Sequence, residues 1–477
     1  MAGSNFPNVV AIDLGAESCR VSLLRWSEGV PHIELVHRFA NTPVMSGGSI
    51  HWDFHRILSE LENGLVRCAE RCTGPIAAIG VDGWAVDYVR VNEQGLPLGQ
   101  PHCYRDARTD ECFTELHKYC SEDKLFAMSG AKPLHLNTIY QLMADARQGI
   151  PAHTSWINLP EYVLARLGGS YISEYTNATH TGLVDPRTKN WHPDVFALAG
   201  LDIDAAPEIV PTGTQVGTVN GSLGRVPALN ETRLIATACH DTASAVAAIP
   251  LEGDDWAYLS SGTWSLLGVL LDSAVTTAEA CAAGFTNLGA PGGKICFHKN
   301  VNGMWLLKQT MSHLCADRGD VWPMTELVAA AENLPQPERL INVDDPSLLL
   351  PGSMASRINL LLTAGGVSPI EERVSATPQF ANLIFHSLAL RYAETLRNAE
   401  RLTGRKLKRL VVVGGGSLNQ YLNRLTAEAT GMEIFCGVAE SSTIGNFAVQ
   451  LATLEGKPNA SARIAHWARE LTRLHAC

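Results

Sequence analysis

The sequence lacks most of the short motifs that mark common chemistries. Its 12 cysteines form no Cys-x-x-Cys pair and its 16 histidines form no His-Glu-x-x-His spacing, so a zinc site is not indicated. It contains neither Gly-x-Gly-x-x-Gly nor the P-loop pattern ending in Gly-Lys-Ser/Thr, which argues against a dinucleotide-dependent enzyme and a P-loop NTPase. No apolar run reaches about 18 residues, so we predict no transmembrane helix.

Basic residues are also in short supply. Lysine and arginine total 37 against 48 aspartates and glutamates, a formal net charge of −11. Nucleic acids and anionic membrane surfaces bind basic faces, so we expect neither as a partner. The N-terminal stretch 1–8 carries no basic cluster, and the apolar run 9–12 is too short for a secretory leader. We therefore expect a cytoplasmic protein with reduced thiols, including the helically spaced Cys68 and Cys72.

Two hairpin-like patterns indicate how the chain is organised. An apolar run at 9–13 meets a turn and a second apolar run at 20–24, and residues 256–268 repeat this arrangement. Because single hydrophobic cores stop growing at ~250–300 residues, a chain of 477 residues predicts two domains. We interpret the hairpins as an internal duplication, with two unrelated hairpins as the alternative. The predicted domains are 1–248 and 249–477.

The segments after each hairpin predict an α/β fold with a mixed sheet. Apolar residues at helical spacing over 55–72, with Asp53 as the N-cap, precede an apolar strand at 76–81. In the second half a helix over 381–402 ends at Gly404, a strand follows at 407–413, and a further helix covers 442–454. The stretch 459–477 is also predicted to be helical. Strands that alternate with amphipathic helices are typical of α/β domains.

Three glycine-containing turns are candidates for holding phosphate groups. The first follows a strand that ends at Asp13, the second contains Gly262 and Thr263, and the third is the run Gly414-Gly415-Gly416 between a strand and a helix. Glycine lets backbone N–H groups approach a phosphate closely, and a carboxylate at a strand end can hold Mg²⁺ or its water shell. The alternative for each segment is an ordinary tight turn.

Phosphoryl transfer to a hydroxyl also needs a base and a surface that binds the acceptor. Asp241 lies in the polar segment 238–245 after an apolar strand, where it is either the base that accepts the hydroxyl proton or a helix N-cap. Its neighbour His240 fits a structural hydrogen-bonding role. Trp84 and Arg105 follow predicted buried strands and suit a polyhydroxylated ligand, with a surface ion-pair cluster as the alternative.

Taken together, these segments resemble the FGGY family of carbohydrate kinases, and within it the rhamnulokinases. The resemblance rests on Val-Ala-Ile-Asp-Leu-Gly-Ala at 10–16, Tyr-Arg-Asp at 104–106, Tyr-Thr-Asn-Ala-Thr at 175–179, His-Asp-Thr-Ala-Ser-Ala-Val at 240–246, Tyr-Leu-Ser-Ser-Gly-Thr-Trp-Ser at 258–265 and Val-Gly-Gly-Gly at 413–416. It implies two ribonuclease-H-like, actin-like α/β domains with the active site in a central cleft. It also implies Mg²⁺-dependent transfer of the ATP γ-phosphate to O1 of L-rhamnulose in L-rhamnose breakdown.

The resemblance also implies roles for individual residues. It makes Asp241 the catalytic base, and Asp13 at its strand end is the candidate magnesium ligand. The candidate sugar contacts, from the aromatic and polar segments and the resemblance together, are Trp84, Ala85, Arg105, His240, Asp241, Thr242 and Asn300. The candidate ATP contacts, from the turns and the resemblance together, are Asp13, Gly15, Ala16, Glu17, Ser18, Cys19, Arg20, Gly262, Thr263, Lys308, Gly414, Gly415 and Gly416.

The sequence departs from the family pattern at four of its positions. Gly83 and Ala85 stand where rhamnulokinases carry threonine and glycine, Lys308 replaces a glutamine, and Cys19 stands where glycine is common. These changes bear on the identity of the sugar more than on the reaction. The alternatives are a kinase of another ketose (L-fuculose, xylulose or ribulose), an ATPase on the same fold, and a non-catalytic sugar sensor.

Overall fold

The computed structural model of the chain describes residues 6–315, 322–438, 440–457, 460–472 and 475–476. The chain divides into two compact units, each built from three segments. The first comprises Met1–Leu251, Leu270–Phe297 and Ser441–Thr472, and the second comprises Glu252–Val269, His298–Glu440 and Arg473–Cys477. The domain boundary drawn from the sequence, between residues 248 and 249, stays a prediction.

Strands and helices alternate along most of the chain, as the sequence predicts. The strands, in chain order, are β1 (Asn8–Leu14), β2 (Ser18–Ser27), β3 (Val30–Ala40), β4 (Val44–Ser46), β5 (Ser49–His51), β6 (Ile76–Gly83), β7 (Tyr88–Arg90), β8 (Trp156–Asn158), β9 (Ile172–Glu174), β10 (Val184–Asp185), β11 (Asn190–Trp191), β12 (Glu208–Val210), β13 (Thr214–Thr218), β14 (Arg233–Ala236), β15 (Trp256–Ser261), β16 (Trp264–Leu271), β17 (Phe285–Ala290), β18 (Lys294–Asn302), β19 (Arg409–Val413), β20 (Glu433–Cys436) and β21 (His475–Ala476).

The helices cover the remaining regular structure. In chain order they are α1 (Phe54–Glu70), α2 (Asp110–Tyr119), α3 (Glu122–Ser129), α4 (Thr138–Arg147), α5 (Leu159–Leu167), α6 (Tyr175–Ala178), α7 (Pro193–Leu198), α8 (Asp241–Ala247), α9 (Ala278–Ala282), α10 (Trp305–Leu314), α11 (Met324–Glu332), α12 (Met354–Ala364), α13 (Thr377–Thr403), α14 (Gln420–Thr430), α15 (Ser441–Glu455) and α16 (Ala460–Leu471).

Each unit contains a mixed sheet with the same internal order. In the first unit the order is β13-β14-β6-β1-β2-β3, with β1 antiparallel to β2 and parallel to β6, and β6 parallel to β14. In the second unit the order is β16-β15-β19-β20-β21, with β18 beside β16. There β15 is antiparallel to β16 and parallel to β19, which is parallel to β20. The shared topology confirms the predicted duplication.

The sheet of the first unit has a hydrophobic core on each face. Along β1, Val10 and Ile12 belong to one buried cluster, whereas Val9 and Ala11 belong to another that includes residues of α15 and α16. Successive side chains of a strand point to opposite faces, so a strand covered on both sides becomes a continuous apolar run. This packing explains why the run at 9–12 shows no alternation of polar and apolar residues.

The predicted helix ends are largely confirmed. Asp53 caps α1, where its Oδ1 accepts from the Arg56 backbone N–H at 3.2 Å, and Gly404 ends α13 with a φ of 71°. The N-cap alternative for Asp241 is wrong, because His240 occupies the cap and Asp241 is the first residue of α8. A helical C-terminus is wrong at its end, since β21 follows α16.

Two further expectations, on the thiols and on membrane-spanning helices, can be compared with the structure. Free thiols are found, as expected for reduced cysteines, at Cys19, Cys68, Cys72, Cys103, Cys112, Cys120, Cys239, Cys281, Cys296 and Cys315. Cys436 departs from this expectation because it is disulfide-bonded. Within the part of the chain that the structure describes, every helix is too short or too polar to cross a lipid bilayer.

Candidate active site

Three predicted segments come together at the carboxyl ends of parallel strands in the first unit. The Trp84 backbone N–H donates to the Leu14 carbonyl at 3.0 Å, which joins the end of β6 to the end of β1. The Gly83 N–H donates to the Cys239 carbonyl at 3.0 Å, which joins β6 to the segment after β14. Ligands of open α/β sheets bind outside the carboxyl ends of the strands, so this edge is where a site is expected.

Asp13 lies near the end of β1, just before the first turn. It is almost fully buried, and its Oδ2 accepts from Arg20 Nη1 at 3.0 Å and from the Ser442 hydroxyl at 3.1 Å. Arg20 is also its register partner on the antiparallel strand β2. The hairpin geometry thus brings together two of the residues predicted for nucleotide binding and fixes the Asp13 carboxylate.

The turn between β1 and β2 is partly accessible at the surface of the first unit. Gly15 and Ala16 are half-buried and Glu17 is exposed, while the Ser18 hydroxyl accepts from the Arg38 guanidinium at 3.3 Å. The Cys19 side chain is fully buried, and that burial raises the pKa of its thiol to about 12. Because this thiol stays neutral and inside the core, a contact from Cys19 to a nucleotide would come from its backbone.

Asp82 lies beside Asp13 on the next strand. The two residues are register partners of β1 and β6, and Asp82 Oδ2 accepts from the Asn446 side-chain amide at 2.6 Å. Burial, followed by the nearby Asp13 carboxylate, raises the pKa of Asp82 well above its usual range. This carboxyl group lies beside the candidate magnesium ligand Asp13, although sequence reasoning did not select it.

Asp241 has the surroundings of a general base. Its Oδ1 accepts from the Thr242 hydroxyl at 3.1 Å and lies 3.3 Å from His240 Nε2, and its side chain remains 37% exposed. Loss of water around the partly exposed Asp241 carboxyl raises its pKa to about 6, while burial lowers the pKa of His240 to about 3. Near neutral pH the carboxylate is therefore ionised and its affinity for a proton is increased, beside a neutral imidazole.

A fully buried glutamate holds the segment that carries Asp241. Glu174 Oε2 accepts from the Cys239 backbone N–H and from the Thr176 backbone N–H, each at 3.0 Å, and from the Thr176 hydroxyl. The His240 N–H in turn donates to that hydroxyl at 3.3 Å. These contacts fix the two residues immediately before Asp241, so Glu174 is placed to set the position of the base.

Trp84 belongs to an aromatic cluster organised by one buried carboxylate. Asp87 Oδ2 accepts from the indole N–H groups of Trp52 at 2.6 Å and Trp84 at 3.0 Å, and Oδ1 accepts from the Gln141 amide at 3.0 Å. The two indole rings lie 4.6 Å apart. Burial raises the pKa of Asp87 to about 6, an increase that these hydrogen bonds oppose. The network fixes the orientation of the Trp84 ring, a predicted sugar contact.

The backbone next to this cluster is strained. Val86 is a β-branched residue with a φ of 73°, a conformation that costs of order 1–3 kcal/mol for such a residue. Its carbonyl accepts from the Thr138 hydroxyl at 2.7 Å and from the Gln141 amide at 3.3 Å. These two contacts hold the strained turn, which separates Ala85 from Asp87.

The structure gives a reason for one of the four departures from the family pattern, the glycine at position 83. A Cβ atom at Gly83 would lie 2.6 Å from the Leu14 Cβ and 2.9 Å from the Leu14 carbonyl oxygen, so β1 and β6 leave room only for glycine. Ala85 is buried next to Trp84, a predicted sugar contact. A change in sugar preference is therefore a question about Ala85 more than about Gly83.

The two remaining sugar candidates lie on exposed positions. The guanidinium of Arg105 stacks over the Tyr104 ring at 5.2 Å from its centroid, in the first unit. Asn300 is exposed on β18, in the second unit. Both sugar roles stay predictions.

In the second unit, the turn between β15 and β16 packs against the start of α10. The Gly262 carbonyl accepts from the Met304 N–H and the Thr263 carbonyl accepts from the Trp305 N–H, each at 3.1 Å. Lys308 lies on the first turn of the same helix, where its N–H donates to the Met304 carbonyl at 2.9 Å. Two of the predicted ATP residues are thereby held beside a third.

The glycine run Gly414-Gly415-Gly416 follows β19 and lies against the end of β15. A Cβ atom at Gly414 would lie 2.8 Å from the Ser261 carbonyl oxygen, and one at Gly416 would lie 1.9 Å from Ser261 Oγ. At Gly415 a Cβ atom would meet nothing within 4 Å. The outer glycines therefore allow close packing of two strands, while the central one leaves its backbone accessible to a ligand.

A cavity of about 450 Å³ opens beside the turn between β15 and β16 in the second unit. Its walls are mainly apolar, with Lys308 as the charged residue, and are formed by Thr263, Met304, Trp305, Lys308, Met311, Ser312, Cys315 and Met324. An apolar pocket with a few polar groups suits a small organic ligand such as a nucleobase. Thr263 and Lys308, both predicted ATP contacts, share this cavity.

Both halves of the chain match models of one known protein family. Residues 8–248 match the N-terminal domain and residues 257–454 match the C-terminal domain of the FGGY family of carbohydrate kinases. The chain belongs to the FGGY family. It is therefore a carbohydrate kinase that uses ATP, as the resemblance implied.

Individual relatives agree with this assignment. The chain is 35% identical over 450 residues to a rhamnulokinase of Bacteroides thetaiotaomicron, covering 94% of this chain and 91% of that protein. It is also 35% identical over 459 residues to a rhamnulokinase of Enterococcus faecalis, covering 95% and 91%.

Solved structures of other FGGY kinases confirm the fold. A gluconate kinase from Lactobacillus acidophilus superposes with a TM-score of 0.78 at 14% identity over 98% of this chain and 93% of its own. A glycerol kinase from Plasmodium falciparum, solved with ADP, gives 0.75 at 14% identity over 97% and 92%. The α/β class with two actin-like domains is thus confirmed, and the central cleft between them stays a prediction.

In this FGGY kinase we expect Gly416→Ala to weaken both the fold and nucleotide binding. The added methyl would collide with the Ser261 side chain, and overpacking of this kind costs ~1–3 kcal/mol of unfolding free energy. Gly415→Ala is the matched control for stability, because its methyl meets open space. Denaturant unfolding and the KM for ATP measure the two effects. Equal losses of stability in both variants would contradict the packing argument.

Several functional contacts escaped sequence reasoning about this FGGY kinase. Glu174 directly precedes the segment 175–179, which carries part of the family resemblance. Asp87 lies three residues after Trp84, a predicted sugar contact. Both residues were therefore next to positions that sequence reasoning had selected. Trp52, Gln141 and Asn446 had no local signal. Their partners lie 35 to 364 residues away along the chain, and only the folded sheet brings them together.

Proposed function

We propose that this kinase transfers the γ-phosphate of ATP to O1 of L-rhamnulose and forms L-rhamnulose 1-phosphate. The observation that carries the proposal is the identity of 35% to two rhamnulokinases over more than nine-tenths of this chain. The first unit supplies a base and an aromatic surface that suit a ketose acceptor. The proposal places the protein in L-rhamnose breakdown and in the cytoplasm, where ATP is available.

Asp241 is the residue that we assign as the base. The Thr242 hydroxyl donates to Oδ1 and the His240 ring lies against the same oxygen, so we assign Oδ2 as the atom that accepts the O1 proton. As the proton leaves, the sugar oxygen gains the negative charge needed to attack phosphorus. Positioned bases contribute ~10²–10⁴-fold to such reactions.

The sugar is proposed to lie against the aromatic cluster. Trp84 is held by Asp87 through its indole N–H, which fixes the ring that faces the C–H groups of a bound ketose. Arg105, His240 and Thr242 offer hydrogen bonds to its hydroxyl groups. Asn300 and the main chain at Ala85 complete the proposed contacts.

ATP is proposed to bind through the predicted glycine-containing turns and the apolar cavity of the second unit. The backbone at Gly415 and the turn at Gly262 and Thr263 are accessible to phosphate or ribose, and Lys308 adds a positive charge. In the first unit the turn from Gly15 to Arg20 offers further backbone N–H groups. Mg²⁺, held at Asp13, would supply positive charge that stabilises the transferring phosphoryl group.

The pKa of the base predicts a pH dependence. Below the Asp241 pKa of about 6 the carboxyl is protonated and cannot accept a second proton, so kcat/KM for the sugar should fall by about tenfold per pH unit. The neutral His240, with a pKa of about 3, adds no second change in this range. A kcat/KM profile from pH 5 to 8.5 at saturating ATP measures this limb. A flat profile through pH 6 would contradict the assignment.

A kinase of another ketose is the second candidate. Ala85 motivates it, because this buried methyl group next to Trp84 stands where rhamnulokinases carry glycine. L-fuculose differs from L-rhamnulose in stereochemistry, and xylulose and ribulose are one carbon shorter. The base and both glycine turns serve any of these sugars equally.

A coupled ADP-release assay across ketoses and aldoses, with a blank that lacks sugar, separates the candidates. Turnover on L-rhamnulose well above all other sugars supports the proposal. Turnover on another ketose alone supports the second candidate and makes Ala85 the first position to test for sugar specificity. ADP release without sugar supports the ATPase alternative, and binding of sugar without turnover supports the sensor.

A further inference from the structure

A buried carboxylate oxygen next to Asp13 is not explained by the base, sugar or nucleotide contacts. The side chain of Asp82 is completely buried, and its Oδ1 has no hydrogen-bond partner among the residues that the structure describes. Its other oxygen, Oδ2, accepts from the Asn446 amide at 2.6 Å. A buried polar oxygen without a partner is costly, so it points to a group that binds there.

Asp82 and Asp13 share one face of the sheet. They are register partners on the parallel strands β6 and β1, and neighbouring strands run ~4.7–4.9 Å apart, so their side chains lie side by side. One helix holds both of them: Ser442 donates to Asp13 Oδ2 at 3.1 Å, and Asn446, one turn further along α15, donates to Asp82 Oδ2.

We propose that Asp82 acts with Asp13 as a ligand of the divalent cation that accompanies ATP, either directly or through a bound water, and that Oδ1 of Asp82 is the contributing atom. The inference rests on the proposed kinase reaction. Mg²⁺ is commonly held by one or two carboxylates together with substrate phosphates and waters. A pair of carboxylates fits this pattern, and within the described ranges no cluster of three His, Cys, Asp or Glu residues forms a metal site.

The charges around this pair favour a bound cation. Asp13 is paired with the Arg20 guanidinium at 3.0 Å, and the carboxylates of Asp13 and Asp241 both act electrostatically on Asp82. A divalent ion between Asp13 and Asp82 offsets their mutual repulsion and gives Oδ1 a partner.

Mn²⁺ binding to the full-length protein with ADP tests this proposal, because the electron paramagnetic resonance signal reports free Mn²⁺ directly. We expect Asp82→Asn, which keeps the side-chain shape and an oxygen for the Asn446 amide, to weaken Mn²⁺ binding by about tenfold or more. ADP binding without metal should stay unchanged. Asp53→Asn is the control, because Asp53 caps α1 and asparagine is an equally good N-cap, so its Mn²⁺ affinity should equal that of the wild type.

Wild-type Mn²⁺ affinity in Asp82→Asn would overturn the proposal. Asp82 would then bind a buried water or serve only the fold. If the variant does not fold, cleavage of the wild-type backbone by bound Fe²⁺ with ascorbate and peroxide decides the question. We expect cuts near both residue 13 and residue 82, and cuts near 13 without any near 82 would overturn it. Neither measurement contains a sugar, so failure of the L-rhamnulose assignment would not change them.

Discussion

Asp241→Asn is expected to lower kcat for the sugar by ~10²–10⁴-fold, the range that a positioned general base contributes. The asparagine keeps an oxygen for the Thr242 hydroxyl but places an amide where Oδ2 would take the proton. Because the change is isosteric, sugar binding should be largely unaffected. Single-turnover kinetics measure the chemical step, and calorimetry measures the affinity for the sugar.

Asp53→Asn is the matched control for this substitution. Asp53 caps α1 through its Oδ1, and asparagine is an equally good N-cap, so stability and kcat should both stay close to wild type. Near-normal turnover of Asp241→Asn would remove Asp241 from the role of base. If sugar affinity fell in parallel with kcat, Asp241 would be a sugar-binding residue rather than the general base.

Glu174→Ala is expected to lower both stability and kcat. The change leaves the buried N–H groups of Cys239 and Thr176 without their acceptor, at a cost of ~1–3 kcal/mol for each in unfolding free energy. The segment that ends at Asp241 then loses its anchor, so folded molecules should also turn over more slowly. Urea unfolding measures the first effect, and kcat per folded molecule measures the second.

Glu174→Gln should restore most of both properties. Its amide oxygen can accept the three contacts made by Oε2, and its NH₂ group can donate to the Thr212 hydroxyl that now meets Oε1. Glu161→Ala is the comparison for a purely structural loss, since Glu161 contacts the Glu174 N–H and the Asn177 amide. Equal loss of kcat per folded molecule in Glu161→Ala and Glu174→Ala would contradict a positioning role for Glu174.

Sequence patterns predicted the elements of this protein better than its contacts. The hairpin at the start of each half, the cap at Asp53 and the helix end at Gly404 depend on neighbouring residues, so local spacing was enough to predict them. The alternative that Asp241 caps a helix failed for a small geometric reason. His240 adopts the extended backbone of the cap, and Asp241 already has helical geometry at the start of α8.

The site itself depends on long-range contacts that the sequence does not encode locally. Glu174 reaches Cys239 across 65 residues, and Asn446 reaches Asp82 across 364 residues. Such pairs meet because parallel strands place their carboxyl ends at one edge and because α15 returns to the first unit late in the chain. Sequence reasoning therefore selected Asp13, Asp241 and their near neighbours, but it could not select distant partners such as Glu174, Ser442 and Asn446.

The proposal that this FGGY kinase phosphorylates O1 of L-rhamnulose is tested most directly by the structure of its product. The chain, Mg²⁺-ATP and L-rhamnulose are incubated together, and phosphorus and carbon NMR follow the reaction. We predict one phosphate ester whose phosphorus couples to C1, formed in a ratio of one to one with ADP. A phosphate ester at another position, or ADP formed without any sugar phosphate, would contradict the proposal.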